Sequence, residues 1–210
     1  MKRALLSGMM LALCLNGAYA AAAKPVKRAK PVRSVKSVKP VKPVISIKID
    51  EGTPRYVYEK KHIECNGTVA WGCTHVSRYM GFGDIRFAPD GSLSGLELRF
   101  GLKDVMIEIS TEMEKGSCEF DVVVKHELTH LNVYRRVLKH HAAEIAKSVL
   151  AALERIPPAE ASQKEWDVIG KVVNAGWERM KDDMRKNNAL MDKGGAHDRQ
   201  YGYCFGKNGN

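Results

Sequence analysis

Residues 117–158 decide the fold: SCEFDVVVKHELTHLNVYRRVLKHHAAEIAKSVLAALERIPP. Ser117 can cap a helix N-terminus, and Glu119 and Asp121 put negative charge in the first turn, where the helix dipole favours it. Phe120, Val124, Leu128, Leu131, Tyr134, Leu138, Ile145 and Val149 then recur at spacings of three, four or seven, which gives one apolar helical face. Pro157-Pro158 ends the run, because proline lacks the N–H that would continue it. A second helix follows, with Ser162 and Glu165 as its capping box and Trp166, Ile169, Val173, Trp177, Met180 and Met184 as its stripe. Gly194-Gly195 stops it.

Upstream of this pair the period changes. Residues 54–110 are broken by glycine, proline and an Asp90-Gly91 turn, and Arg55–Tyr58, Ile85–Ala88, Leu96–Phe100 and Val105–Ile109 read as short strands. The expected architecture is α+β: a small N-terminal antiparallel β-sheet packed on a long C-terminal helical hairpin, within residues 49–210.

The first 48 residues belong to no such domain. Lys2 and Arg3, an apolar run from Ala4 to Leu15, and Ala18-Tyr19-Ala20 have the layout of a signal peptide cleaved after Ala20. The run is shorter than the roughly 20 residues a membrane span needs, and no later segment qualifies, so no transmembrane segment is expected. A lipid anchor at Cys14 is disfavoured by the bulky Leu13 before it. Residues 21–48 repeat Lys-Pro-Val, carry nine basic side chains and no acidic one, and read as a disordered, extended tether.

The net charge of +10 on 210 residues would ordinarily point to nucleic acid. Its distribution removes that reading: +2 lies in the signal and +9 in the tether, which leaves −1 for residues 49–210. Two readings of the tether stand side by side: attraction to anionic envelope polymers such as lipopolysaccharide or teichoic acids, and a solvated spacer that adds reach.

An exported chain with four mature cysteines is expected to hold two disulfides. Cys65 and Cys73 flank an Asn-Gly turn and suit a local bridge, which leaves Cys118 with Cys204. A cysteine-based zinc site lacks the close CxxC pair it needs.

The chemistry sits on the first long helix, in His126-Glu127-Leu128-Thr129-His130, the pattern HExxH. Residues four apart share a helix face, so both imidazoles can reach one zinc ion while Glu127 stands beside them as general base. Zinc lowers the pKa of a bound water to about 7, and the glutamate passes the proton on to the leaving amine. The pattern thus points to a zinc metallopeptidase with a zincin-like arrangement and one Zn2+ per chain.

A third ligand has to come from elsewhere. His140, His141 and Glu144 follow on the same helix, and Glu144 lies roughly 21 Å beyond His130 at 1.5 Å per residue. With the helices folded back at the Pro157-Pro158 turn, the level of His130 is about residue 189 on the second helix and that of His126 about 193. Glu178 and Asp182 fall short by two or more turns, whereas Asp192, His197 and Asp198 lie in the target zone. His197 is the expected third ligand, with Asp192 or Asp198 orienting a ligating imidazole. Tyr201 and Tyr203 are candidate donors to an oxyanion.

The segments VKHELTHLNVYRRVL (124–138) and NNALMDKGGAHD (187–198), after a β-rich lead-in, resemble a family of bacterial secreted zinc-dependent proteases long carried as a domain of unknown function. The likeness covers roughly residues 54–200, and the family's downstream Asp and His map to Asp192 and His197. Leu131-Asn132 departs from the aromatic-Asp pair common in that family at this point. The resemblance implies a zinc-dependent peptidase. Export and tether together point to protein or peptide substrates of the cell envelope, peptidoglycan peptides among them, in the periplasm or outside the cell. The competing expectation is a non-catalytic envelope protein that uses the helical hairpin for binding or structure.

Overall fold

The computed structural model describes residues 42–193, 201–202 and 204–205. The signal peptide, tether residues 21–41, the Gly194-Gly195 stop, His197, Asp198 and Tyr203 lie outside the described residues. The element order is β1 (Val44–Asp50), β2 (Arg55–Val57), β3 (Ile63–Cys65), β4 (Thr68–Ala70), β5 (Gly72–Phe87), β6 (Leu93–Ile109), α1 (Cys118–Leu153) and α2 (Ala161–Met191), with a 3-10 turn at Pro158–Glu160 before α2.

The class is α+β as expected, but the sheet is mixed. β6 is its centre: β5 pairs antiparallel along one edge, while β1 and β2 pair in parallel along the other. The partner offset is 51 for both β1 and β2 (Val44 with Gly95, Arg55 with Met106), so they form one edge strand interrupted between Asp50 and Arg55. The expected all-antiparallel sheet is therefore corrected: the chain lays β1 and β2 on one side of β6, and returns on its other side through β5. Val44–Lys48, read above as the end of the tether, form most of β1. Ile45 and Ile49 pack against the core, which a solvated tether would not do. A separate small hairpin, β3–β4, follows β2.

The two strands expected at 96–100 and 105–109 are one strand of 17 residues with a bulge. Leu96, Leu98, Phe100 and Leu102 are buried on even numbers, whereas Val105, Ile107 and Ile109 are buried on odd ones. Between them β6 advances three residues (Lys103 to Met106) while β5 advances two (His75 to Ser77), and Asp104 takes φ 52°. One extra residue at the bulge shifts the parity and keeps both apolar runs on the helix-facing side.

Ser117 caps α1 as expected, its Oγ accepting the Phe120 N–H at 3.1 Å. The helix ends at Leu153, one turn ahead of the Pro157-Pro158 pair expected to stop it. The capping box at α2 does not form. The helix starts at Ala161, behind the 3-10 turn, so Ser162 lies inside it. The Glu165 carboxylate instead accepts the Leu93 N–H at 2.8 Å and ties the helix to the start of β6.

The two helices run antiparallel, as the pairs His130–Asn188, His141–Asp183 and Ile145–Gly176 show. A side chain at Gly176 would collide with Ile145, so its absence sets how closely the helices approach. Leu131, Leu138, Ile145 and Val149 of α1 join Ile169, Val173, Met180 and Met184 of α2 and the even face of β6 in the main core. Burying each such side chain contributes about 1.5–3 kcal/mol. Trp166, counted in the apolar stripe, is instead 38% exposed and meets Phe82 edge to face. Both expected disulfides are present, Cys65–Cys73 and Cys118–Cys204. No helix among the described residues is long and apolar enough to cross a membrane.

Candidate metal centre

His126, Glu127 and His130 lie on the inner face of α1, each less than 9% exposed. The end of α2 crosses at the same level. Asp192, its C-terminal cap, brings Oδ1 to 3.2 Å from His126 Nε2 and 3.0 Å from His130 Nε2, while the two Nε2 atoms are 3.0 Å apart. Three donor atoms thus converge on one point, and they form a group suited to holding a metal ion.

The chemistry of these donors fits an ion. Asn188 Nδ2 donates to the Met184 carbonyl at 2.8 Å, which turns its Oδ1 toward His130 Nδ1 at 2.9 Å. An amide oxygen only accepts, so Nδ1 carries the proton and a neutral His130 presents a bare lone pair at Nε2. That lone pair faces a carboxylate oxygen and a second imidazole nitrogen. The cluster needs either a proton or a cation at its centre, and a zinc ion takes this mixture of two nitrogens and one oxygen. Without an ion, burial alone would lower the His130 pKa, but the contacts with Asp192 and Asn188 outweigh it and raise the pKa above its usual value. Burial likewise opposes the Asp192 charge, yet both imidazoles prevail and hold its carboxyl well below the ordinary carboxylate range.

Glu127 stands beside this centre against the start of β5. Thr74 Oγ1 lies 2.8 Å from Glu127 Oε2 and 2.9 Å from the Glu127 carbonyl oxygen, and its one proton serves these two acceptors. A Cβ on Gly72 would sit 2.8 Å from Val123 Cγ1 and 2.9 Å from Glu127 Oε1, so only glycine leaves room for the carboxylate there. Burial raises the Glu127 pKa above its ordinary value, against the lowering influence of Thr74 and the two imidazoles. A carboxyl shifted this way is a better proton carrier near neutral pH.

Tyr201 closes another side. It is 9% exposed, its ring centroid lies 5.4 Å from that of His126, and Trp71 and Phe205 pack around it. The Cys118–Cys204 bridge anchors this segment to the first residue of α1. Burial, followed by the charges of Glu127 and Asp192, raises the Tyr201 pKa far enough to keep the phenol protonated. The whole arrangement opens into a cleft of 1220 Å³ with the β3–β4 hairpin on one wall and α2 on the other.

Of the site residues expected from sequence, His126, Glu127, His130, Asp192 and Tyr201 come together here. Asp192 touches both imidazoles directly rather than standing behind one. His197, Asp198 and Tyr203 are outside the described residues. His141 turns away to Asp183 at 2.9 Å, and Glu144 pairs with Lys147 on the surface. Thr74, Gly72 and Asn188 were not anticipated. Only Asn188 carried a signal, as a polar residue within one position of the level computed for His130. No protein-family model, curated protein or solved structure matches the chain.

Proposed function

We propose that this chain is an exported zinc-dependent metallopeptidase of zincin-like design, with the ion held by His126, His130 and Asp192 and with Glu127 as general base. The observation that carries the reading is the convergence of those three donor atoms, with the His130 lone pair aimed inward by Asn188. Asp192, expected from the sequence to orient a ligating imidazole, is here given a ligand's place, while His197 lies outside the described residues. A bound zinc supplies a Lewis acid and an activated water at neutral pH. Glu127, held by Thr74 over Gly72, accepts the proton of the attacking water and delivers it to the leaving amine. The neutral Tyr201 phenol is the candidate hydrogen-bond donor to the oxyanion that forms on the scissile carbonyl.

Two disulfides favour an oxidising compartment, which agrees with export to the periplasm or beyond. There the open cleft would receive envelope proteins or peptides, including peptidoglycan peptides, and the basic tether would hold the enzyme near anionic polymers. A digest of a random peptide mixture tests the activity. Zinc-loaded mature protein should cleave, a chelator should stop it, and Glu127→Gln should lose at least about 100-fold in rate while keeping its zinc. Failure of the zinc-loaded wild type to cleave any peptide would reject the enzymatic reading.

A further inference from the structure

The inner face of β5 runs through Thr74, Val76, Arg78 and Met80. Thr74 holds Glu127, while Val76 and Met80 pack against the main core. Arg78 occupies the same face, on the strand bordering the cleft, and it lines that cleft beside Tyr134 and Asp192. Three of the other cleft cations have partners: Lys61 with Glu112 at 3.3 Å, Lys181 with Glu178 at 2.7 Å, and Arg185 with Asp182 at 2.5 Å. Among the described residues the exposed Arg78 side chain forms no ion pair and no hydrogen bond. Lys193, at the far end of α2, is the other cleft cation without an ion pair, but it lies outside the sheet.

We infer that Arg78 is a substrate-binding residue that receives a carboxylate of the peptide, either an acidic side chain or the C-terminal group, close to the scissile bond. The inference rests on the peptidase reading and narrows it to anionic substrates. Thr74 and Arg78 are four residues apart on one strand, a span of about 13 Å that a long side chain shortens by half when it leans back. A peptide residue advances about 3.4 Å, so the carboxylate falls within about three residues of the bond next to Glu127. Tyr134, one helical turn beyond His130, lines the same cleft, and the charges of both Arg78 and Asp192 act on its half-buried hydroxyl. A guanidinium offers two parallel N–H donors to a carboxylate, a match that an ammonium does not reproduce.

The competing role for Arg78 is structural, because an inward charge on an edge strand also discourages strand-to-strand association. The test separates the two. The full mature chain carrying Glu127→Gln is loaded with zinc, immobilised, and exposed to random hexapeptides in two forms, one capped at both ends and one with a free C-terminus. Mass spectrometry of the retained peptides should show about ten-fold enrichment of Asp and Glu over Asn and Gln in the capped set, or of free over amidated C-termini in the other. Whichever form is enriched identifies the source of the carboxylate. Adding Arg78→Gln should bring the ratio within about two-fold of unity at unchanged zinc content, and Arg78→Lys should retain part of it. Absence of carboxylate enrichment, or enrichment that survives Arg78→Gln, overturns the proposal, and increased self-association of that variant with enrichment intact assigns Arg78 to edge protection. The binding readout does not need turnover, so carboxylate capture without hydrolysis by the wild type would reject the peptidase reading alone.

Discussion

Replacing Asn188 by leucine removes one oxygen and should loosen the metal centre more than its size implies. Asn188 is 9% exposed and holds His130 Nδ1–H through Oδ1 at 2.9 Å, anchored in turn by its own Nδ2 on the Met184 carbonyl. Leucine has similar volume and fills the space, so the packing term is small. The His130 Nδ1–H then has no acceptor, and leaving such a donor unpaired in a buried site costs about 1–3 kcal/mol. The imidazole escapes by moving its proton to Nε2, the atom that must bind the ion. Zinc binding has to reverse that change, so the cost appears as lost affinity. It corresponds to a 10- to 100-fold weaker dissociation constant, the range found for partners that orient a ligating histidine. The assay is competition for zinc with a chromophoric chelator at pH 7.5, with melting of the metal-free protein as a check on folding. Asn188→Asp keeps an acceptor and should bind zinc at least as tightly as the wild type. An unchanged dissociation constant in a folded Asn188→Leu protein would refute the claim that Asn188 sets the tautomer.

Thr74→Val removes a hydrogen bond that lowers the Glu127 pKa, so that pKa should rise further, and the acid limb of the pH–rate profile should move to higher pH with zinc content unchanged. Cys204→Ser, or selective reduction of Cys118–Cys204, frees the segment bearing Tyr201 and should cut kcat by at least about ten-fold while zinc stays bound. Glu108 is buried under Lys60 and His75; burial works to raise its pKa, but the hydrogen bonds from those two partners hold it below its ordinary value. A carboxyl depressed on folding contributes stability above its unfolded pKa of about 4.3 and loses it as pH falls through the folded value. Denaturant melts of Glu108→Gln should therefore show a shallower loss of stability on going from about pH 5 to pH 3 than the wild type.

Both helices were legible because their signals are local: a cap at Ser117, a 3.6-residue period and a double proline. The strands were harder to read. The inner face of β5 interleaves the polar Thr74 and Arg78 with Val76 and Met80, so its alternation is too weak to stand out in the sequence. The polar Lys103-Asp104 step in β6 looked like a break, because a bulge and a turn share the same residue types. Parallel pairing of β1 and β2 depends on which edge of β6 the chain meets, a long-range choice with no local mark. At the site, HExxH singled out three residues that the structure buries together on one face of α1. Constant helical rise then brought the estimated levels of 189 and 193 close to Asn188 and Asp192. His197 was preferred for its ligand strength and its place just beyond Gly194-Gly195, and it lies outside the described residues; that the helix cap itself reaches both imidazoles had no mark in the sequence.

Zinc content and ligand set, measured together on the purified mature protein, bear most directly on the metal centre. Metal analysis with X-ray absorption at the zinc edge should give one zinc per chain, bound by two imidazoles and one carboxylate, and Asp192→Ala should lower both occupancy and the oxygen contribution. Less than about half an equivalent of zinc after full loading, or a first shell unchanged by Asp192→Ala, would contradict a centre built from His126, His130 and Asp192.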